Sequence, residues 1–79
     1  MLYLEIISPE KLLFKGEIRI IELPGSLGSF EIMENHAPII STLASGKIKV
    51  VSTDNTIHYF EIVGGLVEHS KNGIRVLVE

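Results

Sequence analysis

The chain has 79 residues, enough for one domain, and at that length folding hides only about 60% of the surface that the unfolded chain exposes. Hydrophobic residues make up 46% and charged residues 22%, a globular rather than a disordered composition, and the absence of cysteine excludes disulfides and thiolate metal sites. The net charge is −3 and the seven basic residues are scattered, which excludes the basic stripe of a nucleic-acid interface.

No apolar run reaches the roughly 18–20 residues that span a bilayer. The start, Met1 to Glu5, lacks the charged and apolar regions of a signal peptide, so the expectation is a protein without a leader. An undersized domain with no staple is expected to lean on a partner, since anything that binds only the folded state stabilises it.

Apolar residues follow a period of two, the spacing of half-buried strands. Leu2, Leu4 and Ile6 share one face. Ser8-Pro9-Glu10-Lys11 opens like a helix, with an N-cap serine and a first-position proline, but Gly16 and the alternation resuming at Glu17 leave it about one turn, so it reads as a turn between strands. Glu17-Ile18-Arg19-Ile20 alternates cleanly and places Ile20 in the core. Ile21-Glu22-Leu23 then continues one residue out of phase, which marks a bulge or a strand crossing between two sheets.

Further short strands are predicted at Phe30-Glu31-Ile32, at 39–43, at Lys47-Ile48-Lys49-Val50, at 56–63 and at 74–78, rich in β-branched and aromatic residues. Turns fall at Thr53-Asp54-Asn55 and at Lys71-Asn72-Gly73, whose Asn-Gly pair favours a type I′ hairpin. Gly64-Gly65 interrupts a strand and signals a bulge or a close backbone approach. Short strands with no helical segment between them argue for an all-β sandwich or barrel occupying 1–79.

Catalytic patterns are missing. His36, His58 and His69 sit in no nucleophile elbow, and no HExxH or paired CxxC spacing offers a zinc site. Glu31 and Glu34 read as solvated charges. Pro24-Gly25-Ser26-Leu27-Gly28-Ser29 has the glycines of a phosphate cradle without the Lys-Ser/Thr and helix that a P-loop requires, so it reads as a turn. A biotinyl or lipoyl carrier domain would need a Met-Lys pair at a hairpin tip, where Met33 is followed by Glu34. No enzyme, cofactor or metal is expected.

One ordered set of segments remains. Residues 23–32, Leu-Pro-Gly-Ser-Leu-Gly-Ser-Phe-Glu-Ile, followed by Asn35-His36-Ala37-Pro38-Ile39-Ile40, resemble the signature of the epsilon subunit of F-type ATP synthase, roughly LPGxxGxFGVxxxHAPL. Residues 4–10 and 13–17 resemble that family's N-terminal strand pair, residues 60–68 its penultimate hairpin, and residues 74–77 its closing strand.

The resemblance implies a flattened two-sheet β-sandwich of about ten short strands. It also implies a non-catalytic rotor subunit of the central stalk, linking the gamma subunit to the membrane c-ring and carrying ion-driven rotation toward ATP synthesis. The location implied is peripheral, at the cytoplasmic face of the bacterial inner membrane. By the same resemblance Ser8, His36, Ala37, Pro38 and Ser41 face gamma, and Gly25, Ser26, Leu27, Gly28, Ser29 and Phe30 face the c-ring. Two bland readings stand beside these roles: Leu27 folded back onto the core, and His36 bonded to a nearby backbone group.

The sequence departs from the family at Glu31, where glycine is usual and a positive φ would be costly, and at Glu34-Asn35, where Pro-Gly or Pro-Asn is usual. The family's C-terminal helical hairpin, which carries inhibition and nucleotide binding in its members, has no counterpart in these 79 residues, so no nucleotide binding is expected. The competing function is a free-standing β-sandwich or barrel that binds a peptide or small ligand.

Overall fold

The computed structural model describes residues 2–79, and no helix occurs among them. Eight strands follow one another: β1 (Leu2–Ile7), β2 (Leu12–Gly25), β3 (Gly28–Met33), β4 (Ile39–Leu43), β5 (Gly46–Ser52), β6 (Ile57–Ile62), β7 (Gly65–Ser70) and β8 (Gly73–Val78). The all-β expectation holds. The strand number is eight rather than about ten, because Leu12–Gly25 runs as one strand of 14 residues where the alternation reads as separate pieces.

That long strand belongs to two layers. Its first half pairs antiparallel with β1, from Ile7↔Leu12 to Leu2↔Ile18. Its second half pairs with β5 (Ile20↔Val51, Ile21↔Val50) and with β3 (Ile21↔Ile32, Leu23↔Phe30). The first layer is β2-β1-β8-β7-β4 and the second is β3-β2-β5-β6, rejoined by the single pairing Gly25↔Leu43 between β2 and β4. One pair in the first layer, β1 with β8, is parallel.

The crossing point is where the sequence slips phase. Against β5, Ile18 faces Ser52 and Ile20 faces Val51, so Arg19 is an extra residue in the ladder. Such a bulge bends the strand and turns the following side chains to the other face. Ile18 and Ile21 are therefore buried, while Ile20 is half-buried on the outside beside Met33 and Val51. The expectation that Ile20 lies in the core is corrected to Ile21, which is fully buried.

The core is the sum of the inward faces. Leu4, Ile6, Ile21, Leu23, Ile32, Ile48, Val50, Val67 and Val76 are fully enclosed. Each contributes on the order of 1.5–3 kcal/mol of burial. At one end Phe14 of the first layer meets His58 and Phe60 of the second edge-on, with ring centroids 5.2 and 6.1 Å apart.

Local chemistry sets the turns. Ser8 accepts from the Lys11 amide through Oγ (3.2 Å), and its own N–H donates to the Lys11 carbonyl (2.9 Å), which closes a turn and confirms that no helix starts there. The Lys71-Asn72 hairpin is not type I′. Its two loop residues keep negative φ, and Gly73 just after them takes φ 123°. Type I′ needs positive φ at both loop positions, and here the glycine of Asn-Gly falls one place too late. Gly65 marks a close approach, since a Cβ there would lie 2.4 Å from the Leu77 carbonyl oxygen.

Truncating Ile21 to Ala is expected to cost ~2–5 kcal/mol in urea unfolding, whereas Ile20→Ala, on the outer surface, is expected to cost far less; equal losses would contradict the face assignment. Gly65→Ala is expected to lower the unfolding midpoint without changing the m-value, because the added methyl has no room between strands.

Candidate functional site

The residues singled out from sequence fall at three places on this frame. The first is the β2–β3 hairpin tip. Gly25 and Gly28 face each other across the ladder and Ser26-Leu27 form the loop. Gly28 has φ 133°, a region that favours glycine. The tip is fastened to β4: the Ser26 amide donates to the Thr42 carbonyl (3.1 Å), the Ser26 and Thr42 hydroxyls share a hydrogen bond (2.8 Å), and the Ala44 amide donates to the Pro24 carbonyl (2.8 Å).

Leu27 projects from this fixed tip with 104% relative exposure, so it does not fold back onto the core. The six residues of the segment divide in two. Ser26, Leu27, Gly28 and Ser29 are exposed, whereas Gly25 is buried and Phe30 is half-buried against the core. A Cβ on Gly25 would lie 2.6 Å from the Gly28 carbonyl oxygen and 2.7 Å from the Phe30 ring. Gly25 and Phe30 thus shape the tip from beneath. Glu31, the departure from the family pattern, is an ordinary strand residue opposite Glu22.

The second place is the loop between β3 and β4, at the opposite end of the sandwich. Met33 to His36 form a turn closed by the His36 amide donating to the Met33 carbonyl (3.2 Å). Asn35 has φ 71°, the positive value that a type II turn requires at its third residue. His36, Ala37 and Pro38 are exposed. His36 Nδ1 lies 2.6 Å from the Ala37 carbonyl oxygen, so Nδ1–H donates and the backbone-bonded reading of His36 is realised. His36 remains exposed while making that bond, so the bond does not compete with an interface role. The ring stands 5.8 Å from that of His69.

The third place is the outer face of the first layer, and here the sequence reading missed the main feature. Thr42, Leu66, Leu77 and Ile7 lie side by side across β4, β7, β8 and β1. Leu66 is 37% and Leu77 45% exposed, and nearby Ile40 is 70% exposed. The adjacent row is Ile40, Glu68, Arg75 and Glu5, with Arg75 Nε 3.5 Å from Glu5 Oε1. Ser8 follows Ile7 at one side of this face, and His36-Ala37-Pro38 leads into β4 at the other. Ser41, by contrast, is half-buried and in phase with buried Leu43, so it points toward the core side of β4. The signal for this face was available: Ile6-Ile7, Ile39-Ile40, Leu66-Val67 and Val76-Leu77-Val78 break strict alternation because both faces of those strands are apolar.

The second layer has an outer apolar row of its own, Met33, Ile20, Val51 and Ile57. No cluster of three or more His, Cys, Asp or Glu able to hold a metal occurs among the described residues.

Comparison with known proteins agrees with this frame. The family described as "ATP synthase, Delta/Epsilon chain, beta-sandwich domain" matches residues 1–79. The ATP synthase epsilon chain of Chlorobaculum tepidum is 40% identical over 76 residues, covering 96% of this chain and 86% of that one. The epsilon chain of Caulobacter vibrioides is 36% identical, covering 99% and 90%. That of Leptospira interrogans is 38% identical, but the match covers only 61% of its length. Relatives therefore include both chains little longer than this match and chains with a large additional part.

Among solved structures, a chain of the Euglena gracilis mitochondrial ATP synthase OSCP/F1/c-ring assembly superposes with a TM-score of 0.89 at 18% identity, covering 98% of this chain and 49% of that one. A chain of the Tetrahymena thermophila mitochondrial ATP synthase central stalk and c-ring gives 0.81 at 19%, covering 98% and 62%. At such identities these two likenesses establish the fold. The full-length family match and the epsilon-chain relatives establish the rest: this chain belongs to the ATP synthase delta/epsilon family, whose β-sandwich domain residues 1–79 match.

Proposed function

We propose that this chain is a non-catalytic rotor subunit of an F-type ATP synthase, gripped on its first-layer outer face by the gamma subunit and resting on the c-ring through the Ser26-Leu27 tip. The observation that carries this reading is the apolar row Leu66-Leu77-Ile7 with Ile40, set on a close-packed sheet and lying among the residues that the epsilon resemblance assigns to gamma. A contiguous apolar surface on so small a domain is what a protein partner covers.

The tip complements it. The hairpin lies at the end of the sandwich away from His36, about 17 Å along β4, so the two contacts do not compete for the same surface. Leu27 is a bare apolar side chain on a loop whose backbone is pinned to β4, suited to pressing against another loop. The chemistry of ATP synthesis is left to other subunits. The rigid core resists deformation because protein interiors are close-packed, which is what transmitting torque from ring to gamma requires. Such a subunit would sit peripherally, at the membrane face that carries the catalytic head.

Leu66→Asp is expected to abolish co-purification with gamma and the c-ring from detergent-solubilised membranes while the domain stays folded by circular dichroism. Ala37→Glu, in the loop that leads into β4, is expected to weaken it. Ile57→Asp, on the other layer, is expected to leave assembly intact. Wild-type levels of Leu66→Asp in the assembled enzyme would overturn the gamma-facing assignment, and a solitary wild-type monomer would favour the free-standing binding module.

A further inference from the structure

His69 occupies a place where a hydrophobic residue belongs. It lies on the inward face of β7, in the row Ile39-His69-Ile74, and is only 8% exposed. Its Nδ1 is enclosed and has no hydrogen-bond partner. Over it lies the 34–38 loop, with the His36 ring 5.8 Å away and the Ala37 carbonyl on the same side.

We propose that His69 and His36 form a proton-operated latch, in which protonation of His69 drives its ring out from under the 34–38 loop and frees that loop from the end of the core. The neutral imidazole fits this place tolerably, because one nitrogen is turned into the apolar interior and the other toward the loop. The imidazolium does not fit. It carries two N–H donors, and the Nδ1 donor would then be charged, buried and unpaired, an arrangement that proteins relieve by neutralising the group or moving it.

A second charge on His36 opposes the first. Burial, and then the His36 charge, hold the His69 pKa below the usual 6.5, while the Ala37 carbonyl partly offsets them. The other titratable groups around the cleft are Tyr3 of β1, Glu34 of the loop and Lys71 of the β7–β8 turn. Directly across the ladder from His69 stand Ile39 of β4 and Ile74 of β8, neither of them titratable.

The direction follows from linkage. A histidine whose folded pKa is depressed contributes stability that is fully present above its unfolded value. That stability is lost as pH falls below about 6.5 toward the folded pKa. The loop is the part that can yield. Residues 34–38 are all exposed and belong to no strand; the His36 amide bond to Met33, the Ala37 carbonyl beside His69 and the contact between the two imidazole rings are among the interactions that hold them. Because the same loop carries His36, Ala37 and Pro38, acid would also loosen the gamma contact, a consequence that rests on the proposed interface.

The test follows the side-chain nitrogens of the three histidines, and the protection of the His36 amide against solvent exchange, by NMR on this chain between pH 8 and pH 5. His69 is expected to titrate below 6.5, with His36 amide protection falling about tenfold in step with it. His69→Val, a β-branched side chain suited to a strand between isoleucines, is expected to keep the loop protected across the whole range.

Titration of His69 with no change in His36 protection would overturn the latch, and so would a loop that loosens equally in His69→Val. If His69→Val fails to fold, the wild-type titration alone decides. Gamma binding measured at the same pH values separates the two readings: binding absent at every pH counts against the interface, whereas binding that is indifferent to pH while the loop opens retains the latch and removes the loop from the contact.

Discussion

The arrangement depends on a single strand serving two layers. β2 leaves β1 and joins β3 and β5 within 14 residues, and the extra residue Arg19 is what allows it. Without the bulge, the alternation begun at Ile18 would turn Ile21 and Leu23 outward and Glu22 inward, placing a carboxylate in the core and two large aliphatics in water. The bulge removes that conflict, and the two sheets become one continuous hydrogen-bonded object folded on itself. A sandwich joined in this way cannot shear by sliding one sheet over the other without breaking β2 or the Gly25↔Leu43 pairing that rejoins the layers.

Stiffness of that kind is what the proposed rotor role requires, in which the domain would be held on one face and loaded at one end. The apolar row on the first layer and the Leu27 tip are both mounted on strands rather than on free loops, and the tip is hydrogen-bonded to β4, which also borders the row. Load applied at the tip therefore passes into the sheet that carries the proposed gamma contact. The opposite end is built differently. There the β3–β4 loop turns on Asn35 and rests on a buried histidine instead of an isoleucine or valine, the one titratable side chain buried in this core among the described residues.

Much of this was legible in the sequence. Strand period and turn residues point to the all-β class, and the phase slip at Ile20-Ile21 marks a bulge or a crossing, both of which β2 turns out to have there. The slip did not say which isoleucine turns inward, because a bulge can be placed on either side of the discontinuity; only the pairing with β5 settles it on Ile21. The Asn-Gly hairpin misled in a similar way, since a dipeptide preference does not say which residue closes the ladder.

The site was less legible than the fold. Ser26, Leu27, His36 and Pro38 stood out by their pattern, and the structure leaves all four exposed. Gly25 and Phe30 belong to the same motif for a different reason, as supports under the tip, and a linear signature cannot separate contact from support. The outer row Leu66-Leu77-Ile7 escaped notice because its members are far apart in the chain and each looks like a core residue by itself. His69 looked unremarkable for the opposite reason: a histidine in a strand gives no sign of which face it takes until its neighbours across the ladder are known.

The most direct measurement of the central claim is site-specific disulfide cross-linking in assembled membranes, with a cysteine at Leu27 and, in a separate variant, one at Thr42, each against single cysteines introduced on gamma and on the c-ring loops. The account predicts that position 27 links to the ring and position 42 to gamma. A Leu27→Cys chain that links to gamma and never to the ring, or a Thr42→Cys chain that links to neither, would contradict it.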